Sequence, residues 1–180
     1  MSVTLQRYVA EVANLSLAQH VGSWSLLIDP YSYISGYFDG EGCFTVSIAP
    51  RPTLRIGWEV RPNASVSQNR DRSQVLDLIQ AHFGCGTIRP DRSDNTVKWE
   101  VRALAQLRER VIPHFVRYPM LSGKHEDFRR FAVVCELMAH GQHRTVPGMV
   151  RIVNLAAGMN PSGKRRYEPR EIIKEIEMKA

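Results

Sequence analysis

The chain has 180 residues, of which 43% are apolar and 23% are charged. This length and composition are typical of one globular domain and exclude a disordered, collagen-like or coiled-coil protein. Lys and Arg number 24 against 18 Asp and Glu, and the resulting net charge of +6 favours a polyanionic partner.

Two helices are predicted before the first strand. Apolar residues recur at helical spacing over residues 4–20. Asp29 then marks a turn and can cap a second helix, over residues 31–39, that a pair of glycines ends. We expect residues 1–28 to form an N-terminal helical extension and residues 29–180 to form a single domain.

The hydrophobic period changes from 3.6 to 2 residues at Cys43, which indicates strands. Alternating segments predict four strands, over residues 43–48, 54–68, 87–91 and 96–102. Helical spacing predicts helices over residues 72–83, 103–117, 125–140 and 148–157. The repeated ββα order predicts an α+β fold, in which helices cover one face of an antiparallel four-stranded sheet and extra helices stand at both termini. In the second strand, Pro62 requires a bend, a bulge or an edge position.

The uncovered face of the predicted sheet carries hydrogen-bonding side chains. They are Thr45, Ser47, Arg61, Asn63, Ser65, Ser67, Arg89, Asp91, Lys98, Glu100 and Arg102. A ribbon of strands fits the DNA major groove, where such donors and acceptors contact base edges. We therefore predict a DNA-binding face, on which Arg61, Arg89 and Lys98 contact bases. The alternative is a solvated polar face, which is usual in antiparallel sheets.

Residues 33–42 join the second helix to the first strand and combine two features. Gly36 and Gly40 lie four positions apart, so they share one helix face and allow another backbone to approach closely. Asp39 and Glu41 place two carboxylates at the end of the helix, where exposed carbonyl dipoles repel negative charge. Acidic residues in this position favour a divalent cation that neutralises them.

Residues 34–42 resemble the nine-residue signature of the LAGLIDADG homing endonucleases. Three residues match it identically, Gly36, Asp39 and Gly42, and Glu41 replaces the second Asp conservatively. The resemblance extends over roughly residues 31–140, because the αββαββα core of the family has the order of elements predicted from periodicity. Residues 159–167 also resemble the ending of bacterial, intron-encoded members.

The resemblance implies a homodimer, because the signature occurs once in the chain. In single-motif members this helix packs against its copy, which places Gly36 and Gly40 of two subunits at the interface. The resemblance also implies that the Glu41 carboxylate and the Gly40 carbonyl bind Mg²⁺, or another divalent cation such as Mn²⁺. By the same correspondence, Asp39 is structural.

Three further residues of the catalytic pocket follow from the resemblance. Gln68 ends the second strand, Arg72 opens the following helix and Lys124 precedes a later helix, as the polar and basic residues of the family do. Arg70 is the alternative to Arg72. The implied roles are to order water molecules and to balance the charge that develops on the phosphorane, without a covalent nucleophile.

The function implied by the resemblance is that of a site-specific double-strand DNA endonuclease. It hydrolyses a long, pseudo-palindromic target in a Mg²⁺-dependent reaction and leaves 3′ overhangs, so that double-stranded DNA and a second copy of the chain are the expected partners. The alternatives on the same fold are an intron maturase that binds its own intron RNA and a DNA-binding protein that does not cleave. Retention of Glu41, Gln68, Arg72 and Lys124 favours the enzyme, since a pure binding protein needs no paired carboxylates beside phosphates.

The sequence also predicts where the protein resides. No apolar run approaches the roughly 20 residues that a membrane-spanning helix needs, and Arg7 and Glu11 interrupt the stretch where a signal peptide would be apolar. The three cysteines, Cys43, Cys85 and Cys135, are odd in number and lack C-x-x-C spacing. We expect a protein that is not secreted or membrane-associated, in the bacterial cytoplasm or in the reducing interior of an organelle.

Overall fold

The structure is a computed structural model that describes residues 29–91, 95–161, 163 and 165–179. The helix predicted over residues 4–20 lies outside the described residues, as does the whole of the predicted extension. The chain divides into two units between Ile34 and Ser35. The first described helix crosses this boundary, and the sheet and the candidate site belong to the second unit.

Four strands form one antiparallel sheet in the order β1-β2-β4-β3. They are β1 (Gly42–Pro50), β2 (Trp58–Asn69), β3 (Thr87–Pro90) and β4 (Thr96–Val101). The α+β class and all four predicted strands are confirmed. The largest difference is at the start of β2, because hydrogen bonds between Arg51 and Gly57 and around Leu54 close the preceding residues into a turn.

The helices are α1 (Pro30–Glu41), α2 (Gln74–Phe83), α3 (Leu104–Gln106, Leu107–Val111 and Ile112–Arg117 in succession), α4 (Lys124–Ala139), α5 (Val146–Ala157) and α6 (Pro169–Met178). The middle segment of α3 is π-helical. Short 3₁₀ turns, Arg70–Arg72 and Gln142–Arg144, precede α2 and α5. The sequence analysis missed α6, although Pro169 in its first turn is typical of a helix start. Among the described residues, no helix combines the length and the apolar character that crossing a membrane requires.

Side-chain hydrogen bonds determine where α1 begins, and a glycine determines where it ends. Both carboxylate oxygens of Asp29 accept backbone hydrogen bonds from the first turn, at 3.1 and 3.0 Å, so Asp29 caps the helix as predicted. The helix continues two residues past its predicted end, to Glu41, and β1 starts directly at Gly42. A Cβ atom at Gly42 would lie 2.7 Å from the carbonyl oxygen of Phe38. Only glycine fits at this junction.

The core between the sheet and the helices is centred on Phe38. Its ring contacts the rings of Phe44, Phe83, Trp99 and Phe115, with centroid distances between 4.8 and 6.2 Å. All five side chains are buried. Because aromatic side chains remove large areas from water, this cluster holds the C-terminal half of α1 against the sheet.

A second apolar cluster packs α4, α5 and α6 against β2. Its buried members are Ile56, Trp58, Val60, Val134, Met149, Ile152, Val153, Ile172 and Ile176. The guanidinium of Arg165 donates to three carbonyl oxygens at the end of α5, at 2.7 to 3.0 Å. Nearby, Asn160 donates from its side-chain amide to the Phe44 carbonyl and from its backbone to Asp127. This turn therefore connects α5 to β1 and α4.

The strand register confirms which residues share the uncovered face. Arg61 pairs with Ser47, Ser65 with Glu100, and Lys98 with both Ser67 and Arg89. Pro62 pairs with Val46 on β1 and precedes the residues of β2 that pair with β4, so it occupies an edge position, one of the three alternatives predicted for it. Two residues of this face differ from the expectation of exposed side chains. Ser65 and Glu100 are 6% and 7% exposed, and two arginine side chains contact Glu100.

Candidate active site and nucleic-acid interface

The end of α1 presents a carboxylate to solvent. Glu41 is the last residue of the helix and is exposed. Within the part of the chain that the structure describes, its side chain has neither an ion-pair nor a hydrogen-bond partner. Helix carbonyl dipoles disfavour a negative charge in this position. A side chain that does not serve the stability of the helix is available to bind a cation.

Lys124 lies beside the same helix end. It is the first residue of α4, and its Nζ donates to the carbonyl oxygen of Gly42 at 2.6 Å and to that of Gly40 at 3.2 Å. The structure therefore brings together Lys124 and the backbone on both sides of Glu41. A carbonyl oxygen has two lone pairs, so the Gly40 oxygen can accept from Lys124 and still bind a second group.

Asp39 fixes the loop that leads into α4. Its Oδ2 accepts hydrogen bonds from the backbone amides of Leu121 and Ser122, at 3.1 and 3.0 Å, and its Oδ1 accepts from the Ser122 hydroxyl. Partial burial raises the pKa of Asp39, but these hydrogen bonds and the charge of Lys124 outweigh it, and the pKa is lowered. The ionised carboxylate thus determines where Lys124 begins its helix.

Gln68 is held at both ends of its side-chain amide. The Nε2 atom donates to the Tyr37 hydroxyl at 2.5 Å, and the Oε1 atom accepts from the backbone of Asn69 at 2.8 Å. Val66, two residues earlier on β2, pairs with Gly42, so Gln68 lies about 7 Å along the strand from the end of α1. Sequence reasoning missed Tyr37, which it treated as ordinary variation within the signature.

Arg72 lies in the exposed 3₁₀ turn before α2. Its side chain is 79% exposed, and its Nε is 3.9 Å from Asp71. Among the described residues no contact joins Arg72 to Gln68, Lys124 or α1. Arg70, the alternative, is exposed in the same turn, and its backbone amide donates to Asn95. Both arginines remain candidates for the pocket.

The uncovered sheet face carries more cations than anions. Its charged side chains are Arg51, Glu59, Arg61, Arg89, Asp91, Lys98, Glu100 and Arg102, and Thr45, Ser47, Asn63 and Ser67 lie among them. The side chains of Arg61 and Arg89 are 59% and 55% exposed, and Lys98 lies 4.0 Å from Asp91. Exposed donors on a twisted ribbon of strands suit a polyanionic duplex.

The family model described as LAGLIDADG endonuclease matches residues 34–135. Probable intron-encoded endonuclease 2 of Neurospora crassa is 32% identical over 130 residues, which is 72% of this chain. This chain spans 29% of the length of that protein and 25% of the length of probable intron-encoded endonuclease 3 of the same fungus. It therefore matches only part of these two relatives.

Two solved structures have the same fold. The archaeal intron-encoded homing endonuclease I-Vdi141I, complexed with DNA, superimposes with a TM-score of 0.77 and 26% identity, covering 83% of this chain and 95% of that one. I-SmaMI, bound to uncleaved DNA in the presence of calcium ions, gives a TM-score of 0.72 and 28% identity. The superposition with I-SmaMI covers 77% of this chain and 47% of the I-SmaMI chain. One unit of this fold therefore accounts for nearly all of the first chain and about half of the second.

The hydrogen bonds of Asp39 predict a pH-dependent contribution to stability. Because folding lowers the pKa of Asp39 from its ordinary value near 3.8, its contribution is complete above that value and is lost as pH falls through the lower pKa of the folded state. Asp39→Asn should reduce the free energy of unfolding at pH 7 by about 1.5 to 3 kcal/mol, and the difference from the wild type should shrink below about pH 4.

Urea titrations at pH 7 and near pH 3 measure both differences. Glu175→Gln, which changes an exposed carboxylate of α6, is the matched control and should alter stability little at either pH. An Asp39→Asn effect of equal size at the two pH values would contradict the role assigned to the ionised carboxylate.

Proposed function

Because this chain belongs to the LAGLIDADG endonuclease family, we propose that it is a homing endonuclease that hydrolyses both strands of a long, pseudo-palindromic DNA target and leaves 3′ overhangs. The observation that carries the proposal is the end of α1, where the exposed Glu41 carboxylate stands next to the carbonyls bound by Lys124. A protein that only binds nucleic acid has no use for an unneutralised carboxylate beside phosphates. In this proposal residues 29–180 form the endonuclease domain and residues 1–28 an extension.

The uncovered sheet face is the proposed DNA-binding surface. It combines cationic side chains with the hydroxyl and amide groups of Thr45, Ser47, Asn63 and Ser67, which are suited to base edges in the major groove. The DNA complexes of I-Vdi141I and I-SmaMI support this partner, since both have the fold described here. The relevant duplex contacts would run along β1 to β4 and leave α1 over the scissile phosphates.

A second copy of the chain is the proposed partner of α1. Gly36 and Gly40 are exposed on one helix face, and a Cβ atom built on either glycine meets no atom of the residues that the structure describes within 4 Å. Small residues at this spacing allow another backbone to approach closely, and a two-fold dimer would place the two α1 helices side by side. The coverage of I-Vdi141I and I-SmaMI supports a unit that is used twice.

The oxygen atoms at the end of α1 fit a hard divalent cation, for which we propose Mg²⁺, with Mn²⁺ as an alternative. Glu41 supplies a free carboxylate and Gly40 a carbonyl with a remaining lone pair, and such donors suit a cation that retains waters and phosphate oxygens. In the dimer the two Glu41 side chains approach each other, which is unfavourable unless positive charge lies between them. Such a cation, when bound, supplies Lewis-acid activation of the phosphate and of a water molecule.

The remaining pocket residues have roles that follow from their contacts. Lys124, whose Nζ is held by the Gly42 carbonyl, would place an ammonium group beside the scissile phosphate and balance the developing negative charge. Gln68 presents a side-chain amide fixed by Tyr37, which suits the orientation of a water molecule. Arg72 or Arg70, both in the exposed turn before α2, is the proposed basic residue that contacts a phosphate. The compartment expected from the sequence, the bacterial cytoplasm or the reducing interior of an organelle, is part of the same proposal.

Glu41→Gln is expected to separate binding from cleavage. The amide lacks the charge that holds the cation, so cleavage should fall by about a hundredfold or more, whereas binding through the sheet should change little. Target sites selected from a randomised duplex library by the wild type provide the substrate. Gel shift in Ca²⁺ and cleavage in Mg²⁺ are then compared, with Glu175→Gln as the control.

If Glu41→Gln cleaves DNA at the wild-type rate, the proposed role of Glu41 as a ligand of the cation is wrong. If the wild type cleaves no DNA from the library but binds its intron RNA, the protein is a maturase. If it selects a DNA sequence without cleaving it, the protein is a DNA-binding protein that lacks the enzymatic activity.

The dimer predicts opposite results for two changes at one glycine. A Cβ atom at Gly36 meets no atom of the other described residues within 4 Å, and Leu improves helix propensity, so Gly36→Leu should fold. Its side chain should nevertheless separate the two α1 helices and abolish both dimerisation and double-strand cleavage. Gly36→Ala, with a much smaller side chain, should retain most of each. Sedimentation at micromolar concentration and cleavage assays measure these effects, and a wild type that remains monomeric on its DNA would contradict the symmetric dimer.

A further inference from the structure

Two glutamates on the uncovered sheet face each contact a pair of arginines. On β2, Glu59 Oε1 lies 2.7 Å from Arg51 Nη1, and its Oε2 lies 2.5 Å from Arg61 Nη2. On β4, Glu100 Oε1 lies 2.6 Å from Arg89 Nε, and its Oε2 lies 3.0 Å from Arg102 Nη2. Each carboxylate thus uses one oxygen for each guanidinium. We call these two groups the Glu59 group and the Glu100 group.

The carboxylates lie beneath the guanidinium groups. The Glu100 side chain is 8% exposed, whereas those of Arg89 and Arg102 are 55% and 62% exposed. Although burial raises the pKa of Glu100, the hydrogen bond from Arg89 and the charge of Arg102 lower it by more, so the carboxylate is ionised at neutral pH. Glu100 was predicted from the sequence to contact base edges. A glutamate covered in this way cannot accept a hydrogen bond from a base, so this prediction is not met.

The Glu59 group has the same arrangement with a more open carboxylate. The Glu59 side chain is 23% exposed, compared with 51% for Arg51 and 59% for Arg61. A hydrogen bond from Arg61 lowers the pKa of Glu59, and the charge of Arg51 acts in the same direction. In both groups a guanidinium has five N–H donors and gives only part of them to the glutamate. The remaining donors have no other hydrogen-bond partner among the described residues, and all four arginine side chains are more than half exposed.

We infer that Glu59 and Glu100 are positioning residues for sequence recognition, an inference that rests on the proposed DNA-binding function. Arg51 and Arg102 would then contact DNA together with Arg61 and Arg89. A guanidinium held by a carboxylate is ordered before the DNA arrives, which reduces the entropy lost on binding. It presents its free edge in a fixed direction, as bidentate contact to guanine N7 and O6 requires. The glutamate also cancels part of the positive charge that attracts phosphates of any sequence.

The register gives the distance between the two groups. Glu100 pairs with Ser65, and Glu59 lies six residues before Ser65 on the same face of β2. The two glutamates are therefore about 20 Å apart along the strand direction. This length corresponds to about six base pairs of duplex. The two groups should affect separate positions within each half of the target.

Selection of bound sequences from a randomised duplex library tests the inference. Glu100→Gln should reduce discrimination about tenfold at one or two positions in each half-site, and Glu59→Gln should do so about six base pairs away. Both variants should bind non-specific DNA more tightly, with a salt dependence that is steeper by about one unit. Glu175→Gln, an exposed carboxylate far from the sheet in sequence, should leave the preference profile unchanged.

The position of the change separates a positioning role from a structural one. A merely structural glutamate would weaken binding to all sequences and flatten the whole profile, and this result, like an unchanged profile, would overturn the inference. Because Glu100 is buried, Arg102→Gln provides a second variant at an exposed residue and should relax the same positions as Glu100→Gln. A wild type that selects no sequence at all would instead refute the proposed function on which the inference rests.

Discussion

The direct passage from α1 into β1 at Gly42 is the constraint on which the geometry of the site depends. A side chain at this position would overlap the backbone of Phe38, so glycine alone allows the strand to begin one residue after the helix ends. The ring of Phe38 lies at the centre of the aromatic core. The buried ring of Phe38 and the exposed, proposed catalytic residue Glu41 therefore lie within a single turn of helix. Glu41 is positioned by both elements, although its side chain has no hydrogen-bond or ion-pair partner among the described residues.

Electrostatic interactions complete what packing begins. The ionised Asp39 holds the loop before α4, and the loop in turn places Lys124 on the carbonyls of Gly40 and Gly42. The end of α1, whose carbonyl dipoles repel anions, therefore has one fixed cation beside it, the ammonium group of Lys124. The Glu41 carboxylate remains available to bind a second cation. On the uncovered sheet face the arrangement is the opposite, because Glu59 and Glu100 are anions that reduce the positive charge of a cationic surface. In the proposed function, charge is concentrated at the site of cleavage and is distributed over the surface that recognises DNA.

Periodicity was sufficient for the sheet, its order of elements and the division of each strand into a buried and a polar face. These properties depend on local alternation, which the sequence displays directly. The burial of Glu100 could not be predicted in the same way, because it results from two long side chains, one of them on the neighbouring strand β3. The bond between Gln68 and Tyr37 likewise joins elements that only the folded chain brings together. The contact of Lys124 with α1 spans more than 80 residues, and only the family resemblance suggested it. By contrast, α6 was detectable from Pro169 and the spacing of Ile172 and Ile176.

In the proposed dimer, each subunit contributes one Glu41, and each Glu41 serves the cleavage of one strand. Mixed dimers of a wild-type subunit and a Glu41→Gln subunit, separated by two affinity tags, test it on a supercoiled plasmid that carries a selected target. The mixed dimer should produce mainly nicked circles, because only one of its two subunits can cleave, whereas the wild-type dimer should produce linear DNA. Linear DNA at the wild-type rate from the mixed dimer would contradict it.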